Sequence, residues 1–244
     1  MPSFSDRLID LNADVGEGPG EEPLYALITS ANIACGGHAG NEDTMREAVR
    51  LALRHGVAIG AHPSYPDREG FGRVTMNLPP AALSRAIAEQ VDALVRAAKA
   101  QGASVTHVKP HGALYRDAAR RDVALAVASG VASVSPALVL VGLAGSPALR
   151  VWQEHGFDVA AEGFADRAYA ADGTLVPRTE ASALITDPEA AARQAIRLAG
   201  VGVCATICVH ADTEGAAAIA AAVRAGLEEA SFVLSALARR GRGT

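Results

Sequence analysis

The sequence predicts an α/β fold, an irregular seven-stranded parallel β/α barrel of the TIM-like kind, on three observations. Strand-like and helix-like stretches alternate throughout, with no change of composition to mark a second unit, so residues 1–244 read as a single barrel domain. Five strands carry polar or ionisable residues at their C-terminal ends, in phase with the less apolar face: Asn12 and Asp14, His62, Lys109 and His111, Glu162, and His210. A barrel gathers such ends at one mouth, whereas an open sheet would spread them along an edge. Finally, the 244 residues are 50% hydrophobic and only 4% aromatic, enough for a sizeable core packed from Ala, Val, Leu and Ile.

The elements follow in order. Arg7–Ala13 reads as a strand, with Ile9, Leu11 and Ala13 alternating against Asp10, Asn12 and Asp14. Gly16, Gly18 and Gly20 make a flexible turn that carries Glu17. Ser30–Cys35 is a second strand running into His38, and Asn41 caps a helix that Gly56 ends. Val57–Ala61 delivers His62, and an ordered Gly/Pro-rich loop runs from Pro63 to Arg73. Leu83, Ile87, Val91, Leu94 and Ala98 recur at helical spacing between Pro79 and about Gln101. In the next strand Val105, His107, Lys109 and His111 share a face, and Pro110 and Gly112 stop it. One helix through Val127, a strand at Ala137–Val141 and another at Phe157–Ala161 come next. Asp187-Pro188 opens a helix, and Val203–Val209 is the last strand before a helix built on Ile219, Val223 and Leu227.

Composition excludes some partners. A formal charge of −5 provides no basic footprint for nucleic acid or an anionic membrane, and Arg239, Arg240 and Arg242 read as a chain end. The segment Met1–Arg7 lacks an apolar signal core. The uncharged run between Asp122 and Arg150 is broken by Gly130, Pro136 and Gly142, which suits a helix and a buried strand better than a membrane span. A soluble cytoplasmic protein is expected, with Cys35, Cys204 and Cys208 as reduced thiols.

Long motifs carry a family resemblance. Ile9–Gly18, Ser30–Gly40, Gly56–Pro63, Tyr65-Pro66-Asp67 with Gly70–Arg73, His107–Tyr115 and Glu162–Tyr169 resemble the LamB/YcsF family, over about Ile9 to Leu227. The resemblance implies a barrel of the glycoside hydrolase/deacetylase type. It also implies the A component of a prokaryotic 5-oxoprolinase, which opens the 5-oxoproline lactam to L-glutamate with ATP as co-substrate and B and C subunits as partners. The chain departs from the family's pattern at Gly37, where a bulky residue is usual, near Asn41, where Asp is, and at Ser182 and Ala211, where Gly is.

Opening a lactam needs an activated oxygen nucleophile and a stabilised oxyanion. Asp14 is the candidate base, and the plainer alternative for it is a turn cap. Lys109 is a candidate for a carboxylate, phosphate or oxyanion, or for a salt bridge to Glu162; His62 and His111 are acid/base candidates. Asn12, Glu17, Arg73, Tyr115, Glu162, Arg167 and His210 complete the substrate-binding set. Arg167 would otherwise pair with Asp166 or Asp172. Asp14, His38 and His62 suit zinc or another divalent ion. No GxxxxGK[ST] phosphate loop occurs, so nucleotide contacts are expected from another surface or a partner. The alternatives are a metal-dependent carbohydrate deacetylase and a non-catalytic partner subunit; homo-oligomer formation stays open.

Overall fold

The polar and apolar faces of the strands have sorted to opposite sides of a closed wall. The computed structural model describes residues 7–237; Met1–Asp6 and Arg239, Arg240 and Arg242 lie outside the described residues. Strands β1 (Leu8–Val15), β2 (Ser30–Ala34), β3 (Ala58–His62), β4 (Val105–Val108), β5 (Val139–Leu143), β6 (Val159–Phe164) and β7 (Thr206–His210) pair in parallel in chain order. Pairing of β7 with β1 closes the barrel. A two-residue strand β8 (Val233–Leu234), not foreseen in the sequence, adds onto Leu8 and Ile9.

Around this wall run α1 (Glu42–His55), α2 (Pro80–Lys99), α3 (Gly112–Asp117), α4 (Arg121–Val134), α5 (Pro147–Glu154), α6 (Pro188–Val201) and α7 (Ala216–Glu229). The caps act as expected. Asn41 Oδ1 accepts from the Asp43 and Thr44 amides, Gly56 ends α1 in the left-handed region, and Asp187 accepts from the Ala190 amide. The single helix expected through Val127 is two, α3 and α4, separated by Ala118–Arg120. No Gly or Pro marks that break; α3 is held as a separate turn by the Ala113 amide on the Gly72 carbonyl. Strands β5, β6 and β7 start two to three residues later than read, because alternation alone does not fix a strand's end. Among the described residues, no helix is long and apolar enough to cross a membrane.

The apolar core lies between strands and helices, with Leu11, Ile33, Val49, Ile87, Leu94, Val127 and Ile207 fully buried there. Inside the barrel the filling is polar and layered. In the lowest layer Asp10 accepts hydrogen bonds from Thr29 and Ser30 on one oxygen and Thr206 on the other. Asn12 and Asn32 form the next layer, and Asp14 and Lys109 the one above. Every one of these groups is paired, which is the condition for burying them at all. The departure at Gly37 has a matching neighbour: a Cβ there would meet Gln90 Oε1 and Ser64 Oγ, and Gln90 fills that space while bonding the Ser64 backbone.

Gly60 makes room for His107. A Cβ at residue 60 would fall on the buried His107 ring, beside a register shift between β3 and β4. Gly60→Ala is therefore expected to lower unfolding free energy by about 1–3 kcal/mol through overpacking. Gly200→Ala, on α6 with no atom within 4 Å of the added carbon, is the control and should not destabilise. Chemical denaturation of both variants checks this, and equal stabilities would mean that the ring moves aside freely.

Candidate active site

Strand β4 places Lys109 at the centre of the barrel mouth. Its ammonium donates to Asp14 Oδ1 at 2.9 Å and sits 2.9 Å from Glu162 Oε1. The Cys208 sulfur at 3.1 Å and Asn12 Oδ1 at 3.4 Å are its remaining neighbours. The three charged side chains are 2%, 7% and 0% exposed, so this is a buried lysine shared by two carboxylates. Burial disfavours charge on Asp14, but His62 and Lys109 more than offset it and hold the carboxyl well below its usual range. Burial likewise opposes the Lys109 ammonium, and Asp14 together with its other neighbours holds it well above its usual value.

Amides and hydroxyls orient these ions in one direction. Thr106 Oγ1 bonds His107 Nδ1, which leaves Nε2–H to donate to Asn32 Oδ1. Asn32 then donates to Asn12 and Asp14, while Asn12 donates to Glu162 and Thr206. Tyr115 donates to the other Glu162 oxygen at 2.7 Å. Burial keeps both the Tyr115 hydroxyl and the Cys208 thiol protonated far above their usual ranges.

Three histidines meet Glu17 beside Asp14. His38 Nε2 lies 2.9 Å, His111 Nδ1 3.2 Å and His62 Nε2 3.7 Å from Glu17 Oε1. His62 Nε2 and His111 Nδ1 are 2.9 Å apart, and His62 Nε2 is 3.3 Å from Asp14 Oδ2. His62 Nδ1 faces the Lys109 carbonyl and His111 Nε2 the Phe71 carbonyl. Burial lowers His38 to about 4 and lowers His111. For His62, burial is outweighed by Asp14, and its pKa rises. Burial opposes ionisation of Glu17, yet hydrogen bonds from His111 and His38 hold it strongly acidic.

The loop under Glu17 is firmer than its glycines suggested. Gly16 takes φ 75°, and the Glu21 carboxylate accepts from the Gly16, Glu17 and Gly18 amides at 2.6, 3.0 and 2.9 Å. Glu21 is a site-building residue absent from the set expected from the sequence, where nothing in its spacing marks it. A cavity of about 700 Å³ opens on this loop, lined by Glu17, His38, Arg68 and Phe71 among others, within the range of small-molecule sites.

At the rim, His210 Nδ1 bonds Asp166 Oδ1 at 2.8 Å, and its ring stacks on Phe164 at 5.2 Å. Asp166 also accepts from the His210 amide and Thr213, so it orients His210 and does not pair with Arg167. Arg167 instead donates to the Val176 and Ala183 carbonyls and pins the segment between them, while Asp172 bonds Thr174 in its own turn. Arg73 and Arg178 share Asp212, with the Arg73 guanidinium 4.9 Å over the Phe71 ring. The Tyr169 hydroxyl accepts from the Phe164 amide, a packing role. Among the described residues, two donor sets could hold a metal: Glu17, His38, His62 and His111, whose ligand atoms lie within 4.8 Å of one another, and Asp14, Cys208 and His210, within the same limit.

The buried His107 makes stability pH-dependent. Burial first, then the charges of Lys109 and His62, lower it to about 3. The unfolded value is near ~6.5, so the unfolded chain takes the proton first as pH falls. This contribution is fully present above about pH 6.5 and is lost toward pH 3, at about 1.4 kcal/mol per pH unit. Urea unfolding between about pH 6.5 and about pH 4.5 should show a slope shallower by roughly one proton in His107→Gln. An unchanged slope would assign the effect elsewhere.

The comparisons with known proteins agree with this construction. The sequence profile of the LamB/YcsF family matches residues 9–241. The crystal structure of the lactam utilization protein from Thermus thermophilus is 41% identical, covers 94% of this chain and 99% of that one, and superposes with a TM-score of 0.88. The catalytic domain of peptidoglycan N-acetylglucosamine deacetylase from Eubacterium rectale ATCC 33656 is 11% identical, with a TM-score of 0.54 over 97% of this chain and 90% of that one, a likeness of fold alone. On a profile match across the whole barrel and a relative of this identity and coverage, the chain belongs to the LamB/YcsF family.

Proposed function

We propose that this chain is the A component of an ATP-dependent 5-oxoprolinase, a cytoplasmic hydrolase that opens the 5-oxoproline lactam to L-glutamate with B and C subunits. Family membership and the lactam utilization relative support the substrate class. The observation that carries the chemistry is the Lys109 ammonium fixed between Asp14 and Glu162, with the His62 imidazole 3.3 Å from Asp14.

In this reading the ring carbonyl sits over Lys109. One of its N–H groups is committed to Asp14, with Glu162 beside it as an ion pair, and the others meet only the sulfur of Cys208 and a long contact to Asn12. Those weakly bonded donors are the ones the substrate oxygen would take, in a site from which water is largely excluded. Asp14, kept ionised, accepts a proton from the attacking water; His62 returns one to the ring nitrogen as the C–N bond breaks. The paired Arg73 and Arg178 at the rim suit the substrate carboxylate. A divalent ion bound at this mouth would polarise a carbonyl or lower the pKa of a water.

ATP enters as the activator of the amide oxygen: its γ-phosphoryl group passes to that oxygen as ADP leaves. Water attack and C–N cleavage then yield an acyl phosphate, and a second water releases phosphate and L-glutamate. The nucleotide contacts belong, in this proposal, to the partner subunits. General acid–base catalysis supplies about 10²–10⁴-fold and one oxyanion donor about 10²–10³-fold, which leaves most of an unactivated amide barrier in place. A purely scaffolding role would gain nothing from three buried ions, each costly to desolvate.

Two outcomes are expected. With 5-oxoproline and ATP, the purified chain alone should release no glutamate above background, and addition of B and C subunits should switch release on. Robust ATP-dependent glutamate formation by the single chain would overturn this division of labour. In the reconstituted enzyme, Asp14→Asn should lower kcat by about 10²–10⁴-fold with KM little changed; a normal kcat would remove Asp14 as the base.

A further inference from the structure

We propose that Asp212 holds the place of the substrate's carboxylate in the empty mouth and so sets the preference for anionic over neutral rings. Its side chain ties residues 168–183 across the rim until a ligand carboxylate takes over the same two guanidiniums.

Three loops meet at this one side chain. Arg178, from the excursion after β6, places Nη1 2.8 Å from Asp212 Oδ2 and Nη2 3.4 Å from Oδ1, the forked approach of a guanidinium to a carboxylate. Arg73, from the loop after β3, donates to the same Oδ2. Asp212 itself stands just past the end of β7. The Arg73 guanidinium lies over the Phe71 ring, and that ring packs edge-on against His38 and His111. Contacts therefore run unbroken from the excursion to the interior of the mouth.

The charges at this rim do not balance. Arg167, Arg178 and Arg73 face carboxylates that are mostly committed elsewhere: Asp14 is paired with Lys109, and Asp166 holds His210 and Thr213. Arg167 donates only to the Val176 and Ala183 carbonyls, and burial, then the charge of Arg178, lowers its pKa. Among the described residues, Asp212 is the carboxylate these guanidiniums have to themselves. The Arg73, Arg178 and Asp212 side chains are 44%, 28% and 31% exposed, so a dissolved carboxylate can reach the pair. Asp212 offers the acceptor that a ring carboxylate would offer, supplied by the chain itself. Such an internal acceptor competes with a ligand of like charge and leaves a neutral ring without a partner at the rim.

The excursion has little else to hold its tip. Its base is fixed, with the Ala168 amide on the Ala183 carbonyl at 2.9 Å and the Val176 amide on the Ala168 carbonyl at 3.0 Å. Residues 170–182 are mostly exposed. Among the described residues, Arg178 is the one side chain of that stretch with a hydrogen bond or ion pair outside it. A segment with so few buried contacts opens locally at small cost, so the Asp212 tie decides whether the tip stays down. The natural anion's identity rests on the lactam reading; the internal acceptor does not.

The test is limited trypsin digestion of the full chain, with cuts located by mass spectrometry, because trypsin cleaves after arginine and Arg178 is the tied residue. Asp212→Asn keeps the side chain's shape and removes its charge. It should speed cutting after Arg178 about five- to ten-fold over wild type. Millimolar cyclopentanecarboxylate, a ring carboxylate without a lactam, should return the variant to the wild-type rate, and neutral cyclopentanecarboxamide should not. Asp172→Asn, in the same excursion but bonded to Thr174 in its own turn, should be cut at the wild-type rate. Cutting of Asp212→Asn at the wild-type rate would overturn the tie. Fast cutting that the carboxylate slows no more than the carboxamide does would overturn the place-holding role. Protection by cyclopentanecarboxylate without protection by 5-oxoproline would support that role and count against the lactam reading alone.

Discussion

A single ammonium group buried inside a barrel constrains everything around it. Lys109 cannot stay charged at 2% exposure without anionic partners, and Asp14 cannot stay ionised at that depth without a cation. Each ion makes the others tolerable, and the amides of Asn12 and Asn32 complete their coordination. Ordinary barrels of this architecture fill their interior with branched aliphatic side chains. Here the aliphatic residues are on the helix side, and the interior holds Asp10, Asn12, Asn32, His107, Lys109 and Glu162. Such an interior is weak as a source of stability, since well-packed apolar residues often do as well or better. It does keep several ions in a low-dielectric site with fixed orientations.

That arrangement also separates two kinds of chemistry at one mouth. On one side, the ammonium and its carboxylates provide charge stabilisation. On the other, Glu17 and three imidazoles form a cluster whose ring nitrogens converge. His62 is the hinge between them, within 3.3 Å of Asp14 and 2.9 Å of His111. Its environment decides its protonation: the Asp14 charge favours the imidazolium, while burial favours neutral rings at His38 and His111. Neighbouring imidazoles are thus poised differently by their surroundings, a common arrangement where proton transfer is to be directed.

Much of this was legible in the sequence, for a definite reason. Alternation along β1 and β4 states which residues share a face, and barrel closure brings those faces together, so Asp14, His62, Lys109, Glu162 and His210 could be grouped before any coordinates. What stayed hidden depends on distances that alternation does not encode. Arg167 looks like an anion binder, yet its guanidinium meets two backbone carbonyls, because the loop from Ala168 to Ala183 folds back over it. Asp166 looked like its partner and instead orients His210. The α3–α4 break has no Gly or Pro to announce it, and Glu21 carries no periodic signal at all.

The central claim is that Lys109 and the two carboxylates form one buried, mutually dependent unit. A double-mutant cycle of unfolding free energies with Lys109→Met and Glu162→Gln measures that dependence directly. The account predicts that Lys109→Met alone is destabilising by about 3–5 kcal/mol, because two carboxylates are left buried without their cation. It further predicts that Glu162→Gln in that background recovers part of the loss, with a coupling of about 0.5–3 kcal/mol. Effects that simply add, to within about 0.5 kcal/mol, would contradict it.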